Sequence, residues 1–302
     1  MFFGTPSFAA AHLEALIEAG ENVAEVVTRP DKPKGRGRKI TPPPVKALAR
    51  THGIDIIQPV ELNSGEVEGR LKSIKPWLLV VVAYGKILPE RILRLAPMGA
   101  WNVHASLLPR WRGAAPIERA IQHGDTRTGV TLMQMDAGMD TGGILMRRET
   151  DIGPDETAGE LAERLKEMGC RLLLEGIEKA RAAGLAIRPQ QEGDATYAPP
   201  VTKDEAGMDW NRPAIELHNM VRAFNPRPGA RSGDLIVWET RRGPGGAGDE
   251  PGTIEKVNSE GLVVSTGEGS LRVLKVQPPG KKPMSAADYA RGKRLRPGSR
   301  IT

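Results

Sequence analysis

Three polar residues of this 302-residue sequence have the types and spacing to perform acyl chemistry. Asn102 and His104 stand two positions apart on a predicted strand, so both side chains face one side of a sheet at its carboxyl end. Asp140 follows a second predicted strand, in a segment that several glycines bend into a tight loop. The sequence thus supplies an amide donor, an ionisable base and a carboxylate that could converge on one site.

Acyl transfer to an amine uses this set of groups when there is no covalent nucleophile. The amide of Asn102 would hold the carbonyl oxygen as it becomes an oxyanion, while His104, oriented by Asp140, would manage protons on the attacking amine and the leaving nitrogen. The residues alone also allow a structural interpretation, because a strand histidine is commonly a core residue and an aspartate among glycines commonly forms a turn.

Other enzyme signatures are missing from the sequence. The first turn, Gly4-Thr5-Pro6, contains no G-x-G-x-x-G fingerprint, which disfavours a nicotinamide cofactor, and no nucleoside triphosphatase P-loop occurs. Ser106 has no G-x-S-x-G setting, so we do not predict it to be a nucleophile. The single cysteine, Cys170, excludes a multi-cysteine metal site and a disulfide framework.

The elements that must position these residues form an α/β pattern. Residues 2–28 predict a β-α-β opening, and further strands are predicted at 54–57, 77–84 and 99–104. We therefore expect a Rossmann-like, mostly parallel sheet with helices on both faces, which binds its ligands at the carboxyl ends of the strands. A long helix predicted over 156–183 closes this part of the chain.

The remaining sequence predicts two further parts. Residues 188–204 are rich in Pro, Gly and Gln without a sustained period, so we predict an interdomain linker between a catalytic domain at 1–187 and a second domain at 205–302. One helix and several short strands predict a small, OB-like β-barrel there, and such open five-stranded barrels commonly bind nucleic acid.

Composition narrows the class of protein. With 39% hydrophobic and 26% charged residues the chain is typical of a globular protein. Its longest apolar run, residues 77–84, is far shorter than the roughly 20 residues that span a bilayer, so we expect no membrane role. One cysteine fits a reducing compartment, and we expect the protein in the cytoplasm.

Positive charge is concentrated in two regions. Residues 205–302 contain 16 Lys and Arg against 11 Asp and Glu, and residues 29–39 contain six basic residues and one acidic residue. Such clusters are either solvated surface or binding sites for a polyanion, and the residues alone leave both open.

The chain closely resembles the methionyl-tRNA formyltransferases over nearly its whole length. The resemblance lies in Gly4-Thr5-Pro6, in the basic segment 30–39, and in residues 82–85, 102–117, 129–141, 222–226 and 281–286. It implies an enzyme that transfers the formyl group of 10-formyltetrahydrofolate to the α-amine of methionyl initiator tRNA. It implies no metal, and a monomer is the expected state.

The resemblance also implies roles for individual positions. Asn102, His104 and Asp140 match the catalytic residues of the family. The folate-binding positions are Ser106, Leu107, Leu108 and Pro109, together with Gly85, Lys86, Ile87 and Asp136 in segments similar to those that line the pterin pocket. The tRNA-binding positions are Arg36, Arg38 and Lys39 in the basic loop and Lys281 and Lys282 in the second domain.

Two other functions remain open on the sequence. An amino-sugar nucleotide could replace tRNA as the acceptor, because the Asn-x-His and downstream Asp pattern is common to folate-dependent formyltransferases of this kind. Alternatively, the chain could be a non-catalytic RNA-binding protein whose first domain is a degenerate folate binder. The sequence departs from the family at its start, where three residues precede Gly4, so we expect a short first strand.

Overall fold

A computed structural model describes residues 1–34, 37, 39–62, 65–243 and 250–301. The chain divides into two compact units. Unit 1 consists of Met1–Pro116, Thr128–Thr150 and Ala162–Ala198, and unit 2 of Ile117–Arg127, Asp151–Leu161 and Pro199–Thr302. Two short segments, 117–127 and 151–161, therefore belong to the unit that contains the last third of the sequence.

Strands and helices alternate in the first half of the chain, and antiparallel strands dominate the last third. Up to residue 151 the elements are β1 Phe2–Gly4, α1 Ser7–Glu18, β2 Val26–Val27, β3 Lys32–Lys34, β4 Lys39–Thr41, α2 Pro44–Thr51, β5 Ile56–Ile57, α3 Glu66–Ile74, β6 Leu79–Val82, α4 Glu90–Leu93, β7 Ala100–His104, β8 Arg112–Gly113, α5 Pro116–Gln122, β9 Arg127–Gln134 and β10 Ile144–Asp151. They continue with α6 Ala158–Ala182, β11 Tyr197–Ala198, α7 Ala214–Ala223, β12 Ala230–Ser232, β13 Leu235–Arg242, β14 Ile254–Asn258, β15 Gly261–Ser265, β16 Ser270–Gln277, β17 Met284–Ser285 and α8 Ala286–Lys293.

The central sheet has seven strands in the order β10-β9-β7-β6-β1-β2-β5. The five strands from β5 to β7 run parallel, and β9 pairs antiparallel with β7. The mostly parallel sheet predicted from the sequence is therefore confirmed. The chain leaves β1 toward β2 on one side and later returns to β6 on the other, which is the reversal of strand order that opens a ligand crevice in such sheets.

Helices cover both faces of this sheet, as predicted. On one face Phe3, Val27 and Val81 pack with the apolar residues of α3 and α4 in one continuous core. On the opposite face Gly169 and Gly176 of α6 allow close contact with β7 and β9. A Cβ at Gly176 would lie 2.4 Å from a Leu132 methyl carbon, so the absence of a side chain there permits this approach.

The two ends of the segment 188–198, which we predicted to begin a linker, pair with strands of unit 1. Arg188 forms an antiparallel bridge with Ile144, and β11 runs parallel to β8. Gly113 of β8 has φ +121°, and a Cβ there would lie 2.8 Å from the carbonyl oxygen of Ala198. The glycine therefore lets the two short strands meet, and local composition gave no sign of this pairing.

Unit 2 is built on an antiparallel sheet. Its path is β12-β13-β16-β15-β14, and β17 adds a sixth strand beside β16. The end strands β12 and β14 do not pair with each other within the described residues, which fits the open barrel expected from the sequence. Helix α7 packs its buried face, including Leu217 and Val221, against β13. Across all described residues, no helix is both long and apolar enough to cross a bilayer.

Candidate active site

Strand β7 delivers the predicted amide and imidazole to the carboxyl end of the central sheet. It lies between β6 and β9, and its sequence AWNVH alternates faces along the strand. Trp101 and Val103 face α6, so Asn102 and His104 point to the opposite face. The His104 side chain is 6% exposed, which makes it a buried ionisable group at the edge of the crevice.

The turn between β9 and β10 holds Asp140 in a left-handed conformation. Its φ is +55°, which costs on the order of 1 kcal/mol or more for a residue with a side chain and which aspartate tolerates better than most. Earlier in the same turn, a carboxylate oxygen of Asp136 accepts bonds from Gly138 N–H at 3.0 Å and from the Thr141 hydroxyl at 2.6 Å. These two bonds link residues before and after Asp140 and so close the turn around it.

The three predicted catalytic side chains meet. Asn102 donates from Nδ2 to Asp140 Oδ1 at 3.2 Å, and the backbone N–H of Gly113 donates to Asp140 Oδ2 at 2.9 Å. The same Oδ2 lies 3.5 Å from His104 Nδ1. The sequence predicted the residues and their common edge of the sheet, and the structure gives the carboxylate as the group that contacts both partners.

The second ring nitrogen of His104 fixes its protonation pattern. Nε2 lies 2.8 Å from the carbonyl oxygen of Trp111, and since a carbonyl can only accept, Nε2 carries a hydrogen. In the neutral ring the free basic atom is therefore Nδ1, which faces Asp140. A proton gained at Nδ1 would lie directly beside that carboxylate.

The predicted folate segment after β7 is partly buried. The Ser106 hydroxyl donates to the carbonyl of Arg110 at 2.6 Å, and Leu108 is fully buried. Leu107 and Pro109 are half-buried. Ser106 and Leu108 therefore support the conformation of the segment from its buried side. That these four residues bind folate stays a prediction.

The other predicted folate residues lie in two exposed loops. After β6, Gly85 adopts φ +77° and its carbonyl accepts a bond from the Arg29 guanidinium, while Lys86 Nζ donates to the Pro59 carbonyl at 3.2 Å. Ile87 is 73% exposed, and Asp136 is exposed in the turn that carries Asp140. Exposed apolar and acidic groups at this edge suit a flat heterocycle with hydrogen-bond donors.

The predicted tRNA residues fall in two places. Arg36 and Arg38 lie outside the described residues, while Lys39 belongs to β4, which pairs antiparallel with β3. Lys281 and Lys282 are exposed at the turn before β17 in unit 2. These positions stay predictions.

The base of the β3–β4 hairpin is anchored by an ion pair. Lys46 Nζ of α2 lies 2.8 Å from both carboxylate oxygens of Asp31, and the Gln58 amide donates to Asp31 at 2.8 Å. The hydrogen bond from Lys46 lowers the pKa of Asp31, so this carboxylate is charged at neutral pH. The basic segment thus starts from a fixed position.

Sequence reasoning missed a buried arginine beside this site. Arg112 has no exposed surface and forms bonds at 2.9 Å to both carboxylate oxygens of Glu192, which raise the pKa of the guanidinium. It also donates to Oε1 of Gln190 at 3.0 and 3.1 Å. Arg112 stands in the segment that carries the family resemblance, whereas Gln190 lies in the predicted linker and gave no signal.

Metal ligation finds no support in the side-chain clusters. Among the residues that the structure describes, no group of three or more His, Cys, Asp and Glu side chains could hold a metal ion. The groups gathered around Asp140 are instead hydrogen-bond donors and one base. Such a set can stabilise a developing oxyanion and accept a proton from an amine.

Two family models match the chain. The model described as formyl transferase matches residues 1–177, and the model described as formyl transferase, C-terminal domain, matches residues 200–294. A methionyl-tRNA formyltransferase of Halorhodospira halophila is 47% identical over 305 residues, covering 100% of this chain and 98% of the relative. A second, of Symbiobacterium thermophilum, is 47% identical over 308 residues, covering 100% and 94%.

Solved structures share the fold at low identity. A sugar N-formyltransferase, WlaRD, crystallised with dTDP and 5-N-formyl-THF, superposes with a TM-score of 0.66 at 17% identity, covering 93% of this chain and 97% of its own. The N-formyltransferase of Helicobacter canadensis, in complex with folinic acid and dTDP-3-aminofucose, gives a TM-score of 0.67 at 17% identity, covering 90% and 97%. At this identity the likeness concerns the fold alone.

Proposed function

Because the chain belongs to the formyl transferase family, and within it matches the methionyl-tRNA formyltransferases over its full length, we propose that it formylates the α-amine of methionyl initiator tRNA. The formyl donor is 10-formyltetrahydrofolate. The observation that carries the proposal is the meeting of Asn102, His104 and Asp140 at the carboxyl end of β7. The product would be formylmethionyl-tRNA for translation initiation.

The geometry supports a direct transfer without a covalent enzyme intermediate. An α-amine has a pKa of about 7.7, so part of it is already neutral near pH 7.5 and attacks the formyl carbon as it loses a proton. His104 Nδ1 receives that proton, and Asp140 at 3.5 Å stabilises the resulting charge. As the carbon–nitrogen bond to the donor breaks, the same imidazolium returns a proton to the leaving nitrogen.

Asn102 serves the carbonyl oxygen. One hydrogen of its Nδ2 is held by Asp140, and within the described residues no acceptor takes the second. That second N–H is available to a substrate oxygen that gains negative charge in the tetrahedral state. Because the amide is already oriented by Asp140, little reorganisation is needed at the moment of reaction.

The folate donor would use the two exposed loops beside the catalytic residues. Gly85, Lys86 and Ile87 supply backbone groups and an exposed apolar surface, and Asp136 supplies a carboxylate acceptor. The segment Ser106, Leu107, Leu108 and Pro109 would support the same pocket from the end of β7. These assignments rest on the family resemblance together with the exposure of the loop residues.

The tRNA would bind through the two basic regions. Phosphates suit the segment that contains Arg36, Arg38 and Lys39 and the exposed pair Lys281 and Lys282, because lysine and arginine displace condensed counterions. We further propose that residues 205–302 form the tRNA-binding domain, that 188–204 connect it to a catalytic domain at 1–187, and that the enzyme is a cytoplasmic monomer.

A competition between acceptors tests this function against its nearest enzymatic alternative. The chain is incubated with labelled 10-formyltetrahydrofolate and equal concentrations of methionyl-tRNA and a dTDP-linked amino sugar, and both products are separated. Label should enter tRNA at least about a hundredfold faster, and tRNA binding should weaken steeply with added salt. Preferential labelling of the sugar would retain the chemistry and overturn the acceptor.

The alternative of a non-catalytic RNA-binding protein predicts a different outcome. It requires measurable tRNA affinity without turnover under the same conditions. A filter-binding measurement run beside the transfer assay separates the two. Affinity without label transfer would favour that alternative despite the intact catalytic residues.

A further inference from the structure

We propose that Gln190 is a positioning residue that holds Asp140 in its working conformation, an inference that rests on the proposed formyl transfer. Nothing in the chain's composition around residues 188–204 assigns a role to this glutamine. Its side chain nevertheless connects the buried Arg112 to the backbone of the catalytic turn.

The side-chain amide of Gln190 forms hydrogen bonds through both its NH₂ group and its oxygen. Nε2 donates to the carbonyl of Asp140 at 2.8 Å and to the carbonyl of Gly142 at 2.7 Å. Oε1 accepts from Nε and Nη2 of Arg112 at 3.1 and 3.0 Å. Carbonyls only accept and the guanidinium only donates, so the amide has one orientation that satisfies both sides.

The two bonds from Nε2 hold the turn directly after its strained residue. Asp140 has φ +55°, a conformation that needs support from its surroundings. By holding the carbonyls of Asp140 and Gly142 on one NH₂ group, Gln190 fixes the Asp140–Thr141 and Gly142–Gly143 peptides relative to each other. The direction of the Asp140 carboxylate follows from that backbone.

Adjacent residues of β8 hold Asp140 from two ends. The Gly113 N–H binds its carboxylate at 2.9 Å, and Arg112 holds Gln190, which binds its carbonyl. Arg112 is itself fixed by two 2.9 Å bonds to Glu192. One short strand therefore sets both the backbone and the side chain of the residue that contacts Asn102 and His104.

The substitution that tests this is Gln190→Glu, which keeps the size and the contact to Arg112 but turns the two donors into acceptors facing two carbonyls. Misplacing a catalytic group by about 1 Å costs on the order of 10²-fold in rate, so we expect kcat to fall about 10- to 100-fold. The affinity for folate and the KM for tRNA should change less than threefold. Gln190→Met, which lacks any donor, is the second variant, and exposed Gln191→Glu is the matched control.

A double-mutant cycle separates positioning from a general structural role. If Gln190 acts through Asp140, then Gln190→Glu should lower kcat by less than about threefold in an Asp140→Asn background. A full additional 10- to 100-fold loss in that background would overturn the proposal. Equal kcat for the parent, Gln190→Glu and Gln190→Met enzymes would overturn it as well.

A readout independent of catalysis distinguishes this proposal from the proposed function. The Gly113 amide is protected by Asp140, so its hydrogen exchange should accelerate at least tenfold in Gln190→Glu and stay unchanged in Gln191→Glu. Faster exchange in a protein that formylates no tRNA would retain the positioning role and reject the function. Unchanged Gly113 exchange in Gln190→Glu, together with tRNA formylation by the parent enzyme, would reject the positioning role and retain the function.

Discussion

Replacing Asp140 by asparagine removes the negative charge beside His104 and one of two hydrogen-bond acceptors. The amide has nearly the same shape, but its NH₂ must take the place of Oδ1, which accepts from Asn102, or of Oδ2, which accepts from Gly113. Either orientation therefore places two hydrogen-bond donors face to face. The substitution therefore removes the charged partner of the imidazole and breaks the contact either to Asn102 or to Gly113.

The size of the effect follows from the 3.5 Å between Asp140 Oδ2 and His104 Nδ1. Two unit charges at that distance attract by about 5 kcal/mol at an effective dielectric constant of 20, and the partial exposure of Asp140 reduces this. If the state with protonated His104 loses about 3 to 4 kcal/mol of electrostatic stabilisation, kcat should fall 10²- to 10³-fold.

Single-turnover transfer of labelled formyl at saturating donor and methionyl-tRNA measures this directly. The control is Asp194→Asn, which removes an exposed carboxylate from the same unit and should leave the rate within twofold. Folate affinity of Asp140→Asn should be close to that of the parent. A rate within threefold of the parent would show that the carboxylate does not act on His104.

Three further predictions concern catalysis and stability. Asn102→Ala should lower kcat 10²- to 10³-fold at saturating substrates, the usual cost of one oxyanion donor, and a fall below threefold would reject that role. Burial lowers the pKa of His12 from 6.5 to about 4. The free energy of unfolding, measured in urea, should therefore fall by about 3 kcal/mol as the pH drops from 6.5 toward 4, and His12→Leu should remove this pH dependence. The hydrogen bond from Arg119 lowers the pKa of Glu205 to about 2, so its contribution should hold above pH 4.5 and disappear toward pH 2. Glu205→Gln should cost about 3 kcal/mol at pH 7 because Arg119 stays buried, with exposed Asp204→Asn as a neutral control in the same unfolding experiment.

Local sequence patterns predicted the central sheet well. The segment 77–84 is apolar on both faces, as a strand buried between two helical layers must be, and β6 occupies its middle. The second strand of the predicted β-α-β opening is only two residues long, because only Val26 and Val27 pair with both neighbouring strands. The short first strand is also present, as β1 with three residues.

The sequence could not predict the contacts that orient the site. The two-residue spacing of Asn102 and His104 predicts one face, but the partner of Nε2 is a carbonyl seven residues away whose direction depends on the loop. Gln190 reaches Asp140 across 50 positions, through strand pairing that no local period encodes. Local patterns likewise do not predict that most of α5 belongs to unit 2, where Glu205 and the carbonyls of residues 199 and 200 bind Arg119.

The most direct test of the central claim is formyl transfer from 10-formyltetrahydrofolate to two acceptors, methionyl initiator tRNA and methionyl elongator tRNA. The chain should transfer label to the initiator at least about a hundredfold faster, and acid hydrolysis of the product should release formylmethionine. Equal rates on both tRNAs would contradict initiator recognition. No label on either tRNA would contradict the assignment of this chain as an enzyme of tRNA formylation.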